Sequence, residues 1–364
     1  MLRCMYSGIS GMKVNQTKLD VIGNNIANVG TTAFKSSSAR FKDMLYQNAG
    51  EATSPTSTKG GTNAKQVGLG AQLASINKMM GQGNALSTGR SLDVCVDGDG
   101  YLMVGKGVVD YATGSGNTIT NNALSGGTLG VMDISYTRDG NLTLDYQGNL
   151  VTADGYRVMG YAVTDGNGAP VSPATPQATS FDATGNVLKV NADAVTATGT
   201  STVATVGAAG AKVLIPMKIP DTIYTTTAGA TATPPTGGQP VKKYEIGKDG
   251  LITAILGDGS RAAIGQIAMA TFKNPEGLNS IGGNLLQKSS NSGPEIIKTG
   301  IGEAAATDNS KGFGDLVQGC LEGSNVDLTE QFTDMITATR SFQAAGKMIT
   351  TGDEILQTIT GLMR

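Results

Sequence analysis

The sequence has no histidine and no tryptophan. Without histidine there is no imidazole general base, no Ser-His-Asp or Cys-His nucleophile system and no His metal ligand. Aromatic residues make up 5% of the 364 residues and charged residues 15%. Lys+Arg 27 against Asp+Glu 29 leaves a net charge of −2, so no broad basic face for nucleic acid or an anionic membrane is expected. Three cysteines, Cys4, Cys95 and Cys320, stand far apart. An odd, widely spaced set builds neither a disulfide framework nor a paired zinc site, and each reads as a small hydrophobe in a packed position. No stretch approaches the roughly eighteen apolar residues of a membrane span. The opening MLRCMYSGISGMKVNQTKLD has no continuous apolar run followed by a cleavage site, so no signal peptide is expected. Taken alone these signals point to the cytoplasm, unless an export machine that needs no leader carries the chain out.

Glycine is plentiful: 52 of 364 residues, about twice the usual share. Such a chain folds with light cores and many turns. Its two ends differ from everything between them. From Met5 the apolar positions Met5, Ile9, Met12, Leu19 and Ile26 fall in steps of four and three, with Gln16 and Gly23 in the gaps. This is a heptad seam on a helix ending near Gly30, the residue expected to take the left-handed C-terminal position. Ser324 followed by Asp327 resembles a capping box that opens a second helix. Its seam runs Leu328, Phe332, Met335, Thr339, Phe342, Gly346, Ile349, Asp353, Leu356, Thr360, Met363. Small residues flank both stripes (Gly8, Gly11, Gly23; Ala338, Ala344, Ala345). One reading lays each helix on its own domain's core. The other pairs the helices with each other and with copies in neighbouring subunits, so that they order only on assembly.

Between the helices the signals are β. Asp-Gly pairs recur at 97–98, 99–100, 139–140, 154–155, 165–166, 249–250 and 258–259 and predict hairpin turns. Alternating runs flank them, such as Leu92–Val96, Tyr101–Val104, Leu142–Tyr146 and the stretch 250–272. Cys95 sits on one such run and is expected to face inward. Residues 162–240 are poorer in charge and aromatics and include a plain Ala/Thr/Gly/Val run from Asn191 to Ala211, which reads as a separate β insertion.

The acidic segment Asp93–Gly100 fails as an EF-hand loop, because the position six after Gly98 is Val104 and six after Gly100 is Lys106, not Glu. No phosphate-binding Gly-x-x-x-x-Gly-Lys-Ser/Thr loop occurs. No catalytic, cofactor-binding or metal-ligating set is therefore expected, and no cofactor.

Three sets of motifs resemble the flagellar axial proteins, and most closely the hook branch of that family. One is Ser7-Gly-Ile-Ser-Gly-Met12 through Asp20-Val-Ile-Gly-Asn-Asn-Ile-Ala-Asn28 to Phe34-Lys35, with Ala33 where the family motif carries Gly. The next is Leu92-Asp93-Val94 with Asp97–Tyr101, then Tyr136-Thr-Arg-Asp-Gly140 and Leu150-Val-Thr152 to Gly160-Tyr161. The third joins Phe272-Lys-Asn-Pro275, Gly319-Cys-Leu-Glu-Gly-Ser-Asn325 and the helix through Phe342-Gln343. No signature is read within residues 162–240, and Val108–Asp133 looks like a local insertion.

The resemblance implies a mainly β fold with α-helical termini. The N- and C-termini (1–71 and 325–364) would form a discontinuous coiled-coil domain of the inner tube wall. A β domain (72–161 and 241–324) and an inserted outer β domain (162–240) would stack outside it. It also implies a non-enzymatic subunit that passes through the flagellar type III export apparatus without a cleaved signal. There it would polymerise with copies of itself under a hook cap protein, between the distal rod protein and the hook–filament junction protein. The product would be a curved extracellular tube passing torque to the filament. The twelve apolar seam residues, Met5, Ile9, Met12, Leu19, Ile26, Leu328, Phe332, Met335, Phe342, Ile349, Leu356 and Met363, are then the assembly site. No nucleic acid and no membrane insertion are implied. The alternatives are a distal rod protein, a type usually shorter and without a full middle domain, and a secreted carbohydrate-binding or adhesive β protein.

Overall fold

The computed structural model describes residues 2–107, 117–120, 123–125, 132–162, 180–181, 187–189, 212–223, 239–257, 259, 261–300 and 309–362. The chain divides into a terminal unit, Met1–Gly81 with Ser324–Arg364, and a β unit, Gln82–Gly323.

The terminal unit holds the two helices, α1 (Leu2–Ala27) and α2 (Leu328–Leu362). They run antiparallel: Met5 lies over Gly352, Ile349 over Gly8, and Lys18 pairs with Asp334 at 3.2 Å. The ends of both helices differ from the sequence expectation. Gly30 does not take a left-handed conformation; the left-handed residue is Ala33, at φ 55. Asn28 caps α1 instead, its side-chain amide donating to the Asn24 carbonyl at 2.9 Å, which satisfies one of the carbonyls a helix end leaves open. At the start of α2 the cap is Asp327 rather than Ser324. The Asp327 carboxylate accepts the Thr329 and Glu330 amides at 2.8 and 3.4 Å. A carboxylate serves that position better than a hydroxyl because the helix N-terminus carries partial positive charge.

After α1 in sequence the terminal unit forms a ribbon of two successive two-stranded sheets that the sequence pattern does not announce. Its strands are β1 (Ser37–Asp43), β2 (Tyr46–Gly50), β3 (Lys65–Gly68) and β4 (Ala71–Lys78). β1 pairs with β4 and β2 with β3, all antiparallel. Its side chains are largely exposed, so neither face shows the apolar alternation that would mark a strand.

The β unit begins with β5 (Ala85–Ser87), β6 (Val94–Asp97) and β7 (Tyr101–Lys106). Its sheet follows an antiparallel path through Thr222–Ile223, Gln239–Ile246, Leu251–Leu256, Arg261–Ile267, Arg157–Ala162, β7, Asp133–Thr137, Leu285–Gln287 and Asn279–Gly282. β7 is covered on both faces. Leu102 and Val104 point into one apolar cluster with Val94, Leu142, Leu150 and Ile252, while Tyr101 and Met103 point into another with Tyr136, Met159 and Phe272. Side chains two apart share a face, so one strand feeds both cores. β6 pairs with Asp315–Gln318 and β5 with Cys320–Glu322. Cys95, on β6, is buried.

Two of the Asp-Gly pairs close hairpins, at 154–155 and 249–250, between strands that do pair; Gly259 lies between two more paired strands, while Asp258 is outside the described residues. The pairs at 97–100 and 139–140 do not. β6 and β7 are not partners, and Gly140 instead lets the chain pass against Val94, whose carbonyl oxygen a Cβ at 140 would overlap. There glycine serves close approach rather than turning. The pair at 165–166, the run 191–211, most of the insertion 108–133 and Met363 lie outside the described residues. Within 162–240, Ser180–Phe181 pairs with Val187–Lys189, Lys212–Pro216 pairs with Met159–Gly160, and Thr222–Ile223 pairs with Gln239–Pro240.

Candidate functional site

The α1-facing stripe of α2 is built on small residues. Ala338 and Gly352 are buried, and Ala345 lies under Gly8 and Gly11. Met335 and Ile349 are half-buried, and the Ile349 side chain lies 3.3 Å from where a Cβ on Gly8 would stand. Small side chains bring two helix backbones close, and the longer ones fill the flanks.

The twelve seam positions divide accordingly. Met5, Met12, Leu19, Ile26, Met335, Ile349 and Leu356 are half-buried. Ile9, Leu328, Phe332 and Phe342 stay exposed, Phe332 at 49% and Phe342 at 37%. The positions that close on α1 between Met335, Ile349 and Leu356 are Ala338, Ala345 and Gly352, each one residue before Thr339, Gly346 and Asp353 of the sequence-read seam.

Exposed apolar side chains continue on both sides of this stripe. Leu328, Phe332 and Ile336 lie along one flank of α2, and Met348, Ile355, Ile359 and Leu362 along the other. At 3.6 residues per turn the two sets stand roughly 210° apart measured across the α1-facing stripe, which lies between them. A helix lying on a single surface has one apolar stripe; α2 has three.

Two asparagines hold the terminal unit where the helices leave it. Asn25, buried, donates to the Ser37 carbonyl and to Gln331 Oε1 at 2.8 and 2.9 Å and accepts the Ser37 amide at 3.0 Å. Asn325 accepts the Ser36 amide at 2.7 Å and donates to the Met79 carbonyl at 2.7 Å. Both stand within the motifs quoted above, which was the available signal for them.

Nothing in the described residues assembles a reactive centre. No group of three or more Cys, Asp or Glu is placed to hold a metal ion among them. Burial pushes the Cys95 thiol up, with the Glu322 carboxylate adding to the effect, so Cys95 stays protonated and inert. Burial also pushes the hydroxyls of Tyr101 and Tyr136 up. Tyr136 packs edge-on to Phe272 with ring centroids 4.8 Å apart, a core contact. Among the described residues no helix is long and apolar enough to cross a membrane.

Comparison with known proteins identifies the family. Three family profiles match it: the flagella basal body rod protein over residues 5–35, the flagellar hook protein FlgE/F/G D1 domain over 128–254, and the flagellar basal body rod FlgEFG protein C-terminal region over 317–362. The flagellar basal-body rod protein FlgG of Bacillus subtilis is 36% identical over 364 residues, covering all of both chains. The chain belongs to the flagellar rod and hook axial family. The flagellar hook protein FlgE of Borreliella burgdorferi is 29% identical across 100% of each chain, and FlgE of Escherichia coli 30% identical across 97% of this chain and 98% of its own. The D1 profile runs through residues 162–240, where the sequence reading found no signature. The flagellum is thus where this family member is placed, with rod and hook relatives on both sides of it.

Proposed function

We propose that the chain is the structural subunit of the flagellar hook. It polymerises with copies of itself into a curved, flexible tube that passes motor torque to the filament, and it performs no catalysis. The observation that carries the polymer reading is the pair of exposed apolar flanks on α2, one on each side of the stripe that meets α1. Two different flanks on one helix suit two different neighbours, and a surface that meets a different surface on the next copy builds an open helical array. The long segment between the strands Arg157–Ala162 and Gln239–Ile246 supplies enough chain for an outer domain that slides against neighbours as a tube bends, as a hook requires. The assignment carries its partners with it: the distal rod protein below, the hook cap and hook–filament junction proteins above, and the type III export apparatus that delivers the chain.

A distal rod subunit is the second reading. It is favoured by one observation: the Bacillus subtilis relative that bears a rod name spans the same 364 aligned residues, so length does not separate the two. Electron microscopy of polymer grown from purified subunit decides between them. A short curved tube is expected; a straight rod would overturn the hook assignment, and no polymer at all would overturn both.

A further inference from the structure

Within the β unit, Arg138 and Glu322 form a buried charged pair. Arg138 is 5% exposed and Glu322 1%, and Nη1 of Arg138 donates to the two carboxylate oxygens of Glu322 at 3.3 and 3.4 Å. The rest of the guanidinium is satisfied too. Nε donates to the Gly100 carbonyl at 3.0 Å, Nη2 donates to the Gly98 carbonyl, and the group lies over the Tyr101 ring, 5.3 Å from its centroid. Gly98 and Gly100 have φ 110 and 147, conformations glycine adopts cheaply. The Asp97–Gly100 segment, which closes no hairpin, is thus shaped as a receptor for a guanidinium.

Glu322 in turn accepts the Gly83 amide at 2.9 Å. This matters because of where Gly83 and Glu322 stand. The chain enters the β unit at Gln82 and leaves it at Gly323, so both residues sit just inside the two crossings. Neighbouring bonds reinforce the same place. The Gly323 amide donates to the Asn84 carbonyl at 2.7 Å, and Gln82 Oε1 accepts the Gly98 amide at 3.1 Å. Three segments distant in sequence, 82–85, 97–101 and 320–323, meet around the Arg138–Glu322 pair.

We propose that the Arg138–Glu322 pair is a clamp on the β unit's two chain crossings. It ties the incoming and outgoing segments to each other and to the start of β7, so that a pull on either is shared by both and delivered to the strand at the centre of the sheet. The mechanical use rests on the structural-subunit reading above; the clamp itself does not. Removing one partner of a buried pair strands the other charge, so the effect of breaking it should be large and local.

Hydrogen exchange on the full-length monomer tests this whatever polymer the chain forms. In Arg138→Met, amides of 83–87 and 320–323 should exchange at least ~100-fold faster, while those of Leu251–Leu256 and Arg261–Ile267 keep their rates. Glu322→Gln preserves shape and a carbonyl for Gly83, so it reads out the charge alone should Arg138→Met fail to fold; about tenfold acceleration at the same amides is expected. Equal acceleration across the whole β unit would make the pair an ordinary core element and overturn the clamp. So would unchanged rates at 83–87 and 320–323 in Glu322→Gln. A straight polymer would sink the hook assignment and leave these rates untouched.

Discussion

The β unit hides its large side chains, and the terminal unit displays them. The largest fully buried residues, among them Leu102, Met103, Leu142, Met159 and Ile252, all belong to the β unit. In the terminal unit the buried apolar residues are Ile22, Ala33 and Ala338, while Tyr6, Leu45, Phe332, Ile336 and Leu362 lie open. Buried apolar area is the main favourable term in folding. By that measure the β unit has what it needs alone, and the terminal unit does not. On the polymer reading proposed above, two helices joined by a narrow stripe of Ala and Gly, and strands with largely exposed side chains, would gain their burial from neighbours. The difference would then separate a part that folds from a part that assembles.

Substitutions sharpen that contrast. The largest effect is expected from Gly140→Ala, whose Cβ would overlap the Val94 carbonyl oxygen. Backbone must move, and the β unit should lose about 4 kcal/mol or more in urea unfolding followed by near-UV signal. Gly30→Ala in the terminal unit has open space around it and should leave the monomer unchanged. A similar response from the two glycines would break the comparison.

Next come two large apolar truncations with opposite readouts. Leu102→Ala, at a fully buried position, should cost the monomer about 2–5 kcal/mol. Phe342, 37% exposed, should cost the monomer under about 1 kcal/mol when cut to Ala. In a polymer that packs it, the same cut costs roughly 3–5 kcal/mol at every subunit. Phe342→Ala should therefore give a soluble, β-structured monomer whose critical concentration for tube formation rises sharply. Normal tubes from it would show that this face of α2 does not hold the polymer.

How much of this was legible in the sequence follows from what each element buries. The helices announced themselves because their 3.6-residue period survives in Met5–Ile26 and Leu328–Leu356. Which stripe meets α1 was less visible, since Ala338, Ala345 and Gly352 carry little hydrophobic signal beside Phe332 and Phe342. The ribbon Ser37–Lys78 was silent because neither of its faces lies on a core. The hairpin at Asp249-Gly250 and the pairing of Leu251–Leu256 with Arg261–Ile267 could be read, as these strands are neighbours in sequence. Asp97–Gly100 misled because the partner of its turn is a guanidinium in the Tyr136–Gly140 motif. Pairs such as Arg138 and Glu322, so far apart along the chain, leave no local trace.

Smaller effects separate the units by pH. Partial burial would push the Asp145 carboxyl up, but hydrogen bonds from the Asn149 side chain and from the Asn149 and Gln147 amides outweigh it and hold the carboxyl below its usual value. A carboxyl lowered on folding adds stability above the unfolded value near pH 4 and loses it as pH falls through the folded one. Asp145→Ala should thus destabilise the β unit by about 1 kcal/mol at pH 7, discounted for its partial solvation, and by progressively less below about pH 4. A penalty that does not shrink in acid would contradict the hydrogen-bond account.

The smallest effect sits at Ala33, held at φ 55 where the family motif has glycine. Ala33→Gly relieves that conformation and should add about 0.5–1 kcal/mol to the terminal unit. If that unit orders on assembly, the gain should appear in the melting of the polymer and be absent from that of the monomer.

The central claim is that the terminal unit orders only in the assembled state. Hydrogen exchange on the wild-type chain, as monomer and as polymer, tests it directly. Amides of residues 5–28 and 328–360 should exchange freely in the monomer and become protected in the polymer, while those of β7 and Leu251–Ile267 stay protected in both. Strong protection of 5–28 and 328–360 in the monomer would contradict the account.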